Sequence, residues 1–144
     1  MELVAIIAGA WTWKGLRPTA VVDANSFGNL IVLDDDGRYW RICPEELACT
    51  AIARDDTEYR LLRSNEQFQF DWHMERIREA AFHALGALGD GQCYCLKIPA
   101  VLGGEYVPQN FGTISLIELI GAAGEIARQI ENVPDGTRVE FKIV

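Results

Sequence analysis

Basic residues are in short supply. The 144-residue chain holds 13 Lys plus Arg against 21 Asp plus Glu, a formal net charge of −8. Proteins that neutralise nucleic-acid phosphates depend on Lys and Arg, so an ordinary nucleic-acid binder is excluded. The deficit is even. Residues 1–70 carry 7 basic and 11 acidic side chains and residues 71–144 carry 6 and 10, so each half nets −4, with no basic arm and no acidic tail. Long hydrophobic runs are missing as well. The apolar stretch Leu3–Ala10 is much shorter than the ~20 residues of a membrane span. Glu2 stands where a secretory leader needs positive charge. These absences lead us to expect a cytoplasmic location with no membrane partner.

Cysteine and histidine are sparse. The four cysteines, Cys43, Cys49, Cys93 and Cys95, are too few for a disulfide framework at this length. Cys93 and Cys95 flank Tyr94 in a strand-like stretch and share a face. They have no second closely spaced pair, which a zinc site normally requires. A set completed by His73 and His83 is the alternative to buried, reduced thiols. Read on one helix, the two histidines lie about 80° apart around the axis and do not readily share a metal. The G-x-S-x-G, H-E-x-x-H and P-loop patterns are absent. No catalytic residue, metal or cofactor is expected.

What is present is enough for a folded core. With 49% hydrophobic residues the chain is no disordered polypeptide, and at this length it buries roughly two-thirds of its unfolded surface. Residues 17–54 are hairpin-rich. Ala20-Val21-Val22 precedes the turn Asn25–Asn29, then Leu30–Leu33, then Asp34-Asp35-Asp36-Gly37, then Arg38–Ile42. Asp-Gly between two apolar runs is a hairpin signal, and Pro44 ends the third strand. A further short strand is expected near Thr50–Ala53, and a short helix docking on the core over Leu3–Ala10.

Residues 55–70 read as a short helix or turn anchored by Tyr59, Leu61, Leu62, Phe68 and Phe70. A helix over 71–88 follows, capped by Asp71, with Met74, Ile77, Ala81, Ala84, Leu85 and Leu88 as its apolar stripe. A strand and a Gly-Gly loop occupy 92–110. A second helix spans 115–131, opened by the capping box Ser115–Glu118. A strand over 137–143 alternates Val139, Phe141 and Ile143 with charged residues. The fold class is α+β, a single domain over 1–144 in which an antiparallel sheet with an N-terminal meander packs on two main helices.

For chemistry, the acidic run Asp34-Asp35-Asp36 lacks the spaced ligands and later Glu of a calcium loop. It reads either as a solvated tip or as a negative knob for a basic partner. Trp40, on the strand beside it, is the candidate aromatic anchor, with Glu45 and Glu46 as outlying acidic contacts.

The run Gly91-Gln92-Cys93-Tyr94-Cys95-Leu96-Lys97-Ile98-Pro99-Ala100-Val101-Leu102-Gly103-Gly104-Glu105-Tyr106 with Asn110 carries a resemblance. So does the later helix with Gly124, Ile126, Ala127 and Gln129-Ile130, closed by Pro134-Asp135-Gly136. Both resemble the C-terminal domain of bacterial immunity proteins against type VI secretion DNase effectors, and the hairpin from Phe27 to Arg41 is similar too. Some members carry a further N-terminal domain, and this chain looks like the single-domain form. The resemblance implies a cytosolic protein, not an enzyme, that binds a cognate secreted toxin. That toxin would be a basic nuclease whose active site is covered or distorted. Within the motif, Lys97, Pro99, Leu102, Gly103, Gly104, Tyr106 and Asn110 are expected to be structural. Two other readings stand beside it: an interaction or ligand-sensing module with its pocket where the Leu102–Tyr106 loop meets the sheet, and a small hydrolase using Cys95 or His73.

Overall fold

The computed structural model describes residues 2–133. The α+β class holds, and the layers are richer than two helices on one sheet. Strands β1 (Pro18–Ala24), β2 (Leu30–Asp34), β3 (Tyr39–Cys43) and β4 (Ala48–Ala53) form an antiparallel meander in the order β1-β2-β3-β4. Both faces of that sheet are covered, which explains why β2 is apolar at successive positions. On one face Leu30, Val32, Trp40, Ile42 and Cys49 pack with Ile7, Trp11, Leu16, Ile120, Ala123 and Ala127. These partners come from α1 (Glu2–Trp11), α5 (Leu116–Ile130) and the segment after α1. On the other face Ile31, Tyr39 and Ala53 meet Tyr59 and Trp72, with Tyr39 and Tyr59 stacked at 4.2 Å.

The N-terminal helix docks as expected. The Trp11 indole N–H donates to the Ile120 carbonyl at 3.1 Å. The crossing is close because Gly124 has no side chain: a Cβ there would lie 2.6 Å from the Ala10 carbonyl oxygen. Ser115 caps α5, its Oγ accepting the Glu118 N–H at 3.4 Å.

The middle of the chain differs from expectation. Residues 55–70 contain two helices, α2 (Asp56–Arg63) and the start of α3 (Glu66–His73), capped by Asp55 and Asn65. Of the expected anchors Tyr59 is buried, but Leu61 and Phe70 are exposed. The helix expected over 71–88 is broken. Met74 adopts a left-handed φ of 47°, ending α3 and starting α4 (Glu75–Leu85) in a new direction. Asp71 therefore lies inside α3 and caps nothing, and Ala84 and Leu85 point to solvent. His73 and His83, placed on one helix by the sequence pattern, sit on α3 and α4 and are both exposed.

A second antiparallel pair joins β5 (Gln92–Leu96) to β6 (Phe111–Ser115). β5 supplies the strand expected within 92–110, and β6 is an element that the sequence reading did not include. Phe27, Tyr94, Leu96 and Phe111 pack there against Ala81 of α4. The expected strand over 137–143 lies outside the described residues.

Candidate partner-binding site

The acidic hairpin tip is built inward. Asp34 is 3% exposed. Its Oδ1 accepts the backbone N–H groups of Asp36 at 2.9 Å and Arg38 at 3.0 Å. Its Oδ2 accepts the Trp40 indole N–H at 2.7 Å and faces Arg38 Nη2 at 3.3 Å. Burial by itself raises the Asp34 pKa, but the Trp40, Arg38 and Asp36 hydrogen bonds and the Arg38 charge outweigh it, and the net shift is downward. Asp35 and Asp36 are exposed but paired, with Arg17 at 3.2 Å and Arg38 at 3.5 Å. The three carboxylates offer oxygens within 4.8 Å of one another, the one such group among the described residues. The Arg17 and Arg38 guanidinium groups and the Trp40 and backbone donors already occupy them. Trp40 is buried, with Arg38 over its ring at 5.3 Å. Asp34 and Trp40 thus serve the turn itself.

Glu45 and Glu46 lie in a one-turn helix, Pro44–Glu46, and part company. Glu46 is exposed, whereas Glu45 is only 5% exposed. Both Glu45 oxygens accept from the Asn29 side-chain amide, at 2.9 and 3.0 Å, and Oε1 also faces the Cys43 thiol at 3.0 Å. The Asn29 carbonyl oxygen in turn accepts the Arg41 fork, Nε at 3.1 Å and Nη2 at 2.9 Å. Arg41 Nη1 pairs with Asp71 at 2.6 Å, and the guanidinium lies over Trp72 at 5.2 Å. One chain of polar contacts therefore joins Asp71, Arg41, Asn29, Glu45 and Cys43. Sequence reasoning missed Asn29, Arg41 and Asp71. An arginine at a sheet position where its neighbours are apolar was the one available signal.

Over this chain of contacts stands the Gly-Gly loop, and the roles of its glycines are distinct. Gly103 has φ 97°, a left-handed turn that a side chain disfavours. Gly104 is required by space, since a Cβ there would sit 1.8 Å from the Ile98 carbonyl oxygen. Asn110 staples the loop shut. Its Oδ1 accepts the Ile98 N–H at 2.9 Å, and its amide donates to the Ile98 and Glu105 carbonyls, both at 3.0 Å. The loop presents Ile98 (54% exposed), Val101 (52%) and Tyr106 to solvent. Lys97 is exposed at its base, and Pro99 and Leu102 are half-buried.

Between the Tyr106 side of the loop, the Pro44–Glu46 turn and the α3–α4 break is a cleft of about 430 Å³. Its lining includes Arg41, Cys43, Glu45, Glu46, Asp71, Met74, Ile77 and Tyr106. Burial raises the Tyr106 hydroxyl pKa above the usual tyrosine range, and Glu45, Cys43 and Glu46 add to it against Arg41. Burial and Glu45 likewise push the Cys43 thiol up. Burial pushes Cys49 and Cys93 up to about 12 and raises Cys95. All four cysteines are free thiols, protonated at neutral pH and poor nucleophiles.

Residues 55–127, half of the chain, match the family described as T6SS immunity protein Tdi1, C-terminal. The chain belongs to that family. Its motif loop, the cleft wall from α3 and α4, and the first four-fifths of α5 all fall inside the matched segment. The fold of this immunity-family protein is similar to the crystal structure of Atu4351 from Agrobacterium tumefaciens, with a TM-score of 0.59 and 17% identity over 86% of this chain. At that identity the likeness is one of fold. The match covers 63% of the Atu4351 chain, so this chain spans less than two-thirds of that protein's length. No curated protein sequence matches the chain. Among the described residues no helix is long and apolar enough to cross a membrane.

Proposed function

We propose that the protein acts in the cytoplasm as a stoichiometric inhibitor, binding a cognate type VI secreted toxin, a nuclease, and covering or distorting its active site. Membership of the immunity family carries the general reading. The choice of docking face rests on the Asn110-stapled loop, which holds three large apolar side chains in solvent beside a polar cleft. Exposed apolar groups next to convergent polar ones are what a protein interface buries. Asp35 and Asp36 remain candidates for steering a basic partner, through the field of the −8 chain rather than through contact. Raised salt should then slow association while leaving dissociation nearly unchanged, which stopped-flow mixing measures.

A non-enzymatic role is supported by the protonated thiols and by two histidines that sit exposed on separate helices. The test is co-expression with the toxin domain encoded beside this gene. Protection of the cells and a complex that survives size-exclusion chromatography are expected. Dead cells and no complex would reject the inhibitor. A ligand-sensing module is the second reading, favoured by the cleft itself, and it predicts a small molecule retained on purification.

A further inference from the structure

We infer that the cleft under Tyr106 is a socket for an arginine side chain projecting from the protein partner. The inference rests on the inhibitor reading and names the chemistry of its anchor. The charge at the cleft floor is unbalanced. Arg41 is fully engaged, held by Asp71 at 2.6 Å, by Asn29 and by the Trp72 face. That pairing leaves Glu45 and Glu46, neither of which has a salt bridge among the described residues. Glu45 is the unusual one. It is 5% exposed, yet its donors are one amide nitrogen and a thiol. A carboxylate accepts about four hydrogen bonds, and with Oε1 already taken by the Asn29 amide and the Cys43 thiol, it is Oε2, which accepts only the Asn29 amide, that retains capacity toward the cleft Glu45 lines.

The walls fit the rest of an arginine. Met74 and Ile77 provide apolar surface for a three-carbon stem. The Tyr106 ring stands at the mouth, suited to stacking on a guanidinium. Its hydroxyl makes no hydrogen bond among the described residues and is free to turn toward the same carboxylates. Lysine would satisfy the charge but not the two-pronged geometry that a planar fork offers to two neighbouring acidic side chains. The wider cleft of about 610 Å³ beside His73 and Arg78 has no comparable feature, since every polar side chain that lines it is exposed or half-buried.

The probe is N-acetyl-arginine-amide, titrated into the ¹⁵N-labelled full chain beside its uncharged citrulline counterpart. Chemical-shift changes confined to Glu46, Met74, Ile77 and Tyr106, given by the arginine compound and not by citrulline, are expected. Equal responses to the two compounds, changes elsewhere, or no response would overturn the socket. In parallel, affinity for the toxin domain is measured for Glu46→Gln and Tyr106→Phe, both at exposed positions where folding is not at stake. Glu46→Gln should weaken capture roughly tenfold, the loss of one charge-assisted contact. Tyr106→Phe, which keeps the ring, should weaken it less. Unchanged capture by Glu46→Gln removes the socket and leaves the inhibitor reading intact. An arginine response without any toxin capture does the reverse.

Discussion

The hairpin tip and the cleft under the Gly-Gly loop each gather three acidic side chains: Asp34, Asp35 and Asp36 in the first, Glu45, Glu46 and Asp71 in the second. At the tip every carboxylate meets an arginine or a backbone or indole N–H of its own hairpin or of the segment just before it. In the cleft Asp71 alone has an arginine, Glu45 is held by the Asn29 amide and the Cys43 thiol, and Glu46 lines the hollow with no salt bridge among the described residues. Exposed pairs like Arg17–Asp35 contribute little to stability, but they cancel the field a partner would feel at close range. Acidity paired within a turn and acidity that opens on a cleft differ in what already answers it, and counting charges along the chain does not separate the two.

The comparison can be broken at several strengths. The largest effect should come from Gly104→Val, which drives a side chain into the Ile98 carbonyl. It should cost roughly 3 kcal/mol of unfolding free energy, at the upper end for overpacking, and abolish toxin capture as the loop opens. Urea titration followed by a pull-down checks both. Next is Asp34→Asn, at about 2 kcal/mol, because a buried acceptor of three N–H groups is weakened. Its pH signature is specific. The folded-state pKa of Asp34 lies below its unfolded value, so its contribution is complete above the unfolded value of about 3.9 and disappears as pH falls through the folded one. Acidification below about pH 4 should therefore erode the wild type more than Asp34→Asn, which unfolding curves at pH 7 and pH 3 compare.

Tyr106→Ala should leave stability within about 0.5 kcal/mol and weaken toxin binding by about tenfold or more. That is the reverse of the Asp34 pattern, and calorimetric titration reads it. The smallest effect belongs to the double change Asp35→Asn and Asp36→Asn. Stability should move by less than about 0.5 kcal/mol, and only the association rate should fall, a difference that disappears in high salt.

Several elements were legible from local signals alone. The Asp36-Gly37 turn, the strand-ending Pro44, the Ser115 cap and the Gly103 turn are each set by residues a few positions apart, and each is found where the pattern puts it. The break at Met74 was not legible. A left-handed residue is ordinarily announced by Gly or Asn, and here the cost is met by tertiary contacts, including the Asn25 amide that donates to the Trp72 carbonyl at 2.8 Å. The cleft was invisible for the same reason. Asn29, Arg41, Glu45 and Asp71 lie on four separate segments, and only Arg41, charged among apolar strand neighbours, looks unusual in its own neighbourhood. Asp34 and Trp40, read from the sequence as contacts for another molecule, are bonded to each other in the fold.

The contact between Trp11 and Ile120 spans 109 residues. A ribosome adding about 5–20 residues per second needs roughly 5–20 s to make that stretch. Until then the apolar side of the meander has only half its cover, and the first helix emerges long before the last that must clasp it. For the proposed one-to-one inhibitor, the consequence is that molecules finished beforehand, rather than a burst of new translation, would set how much incoming toxin a cell survives.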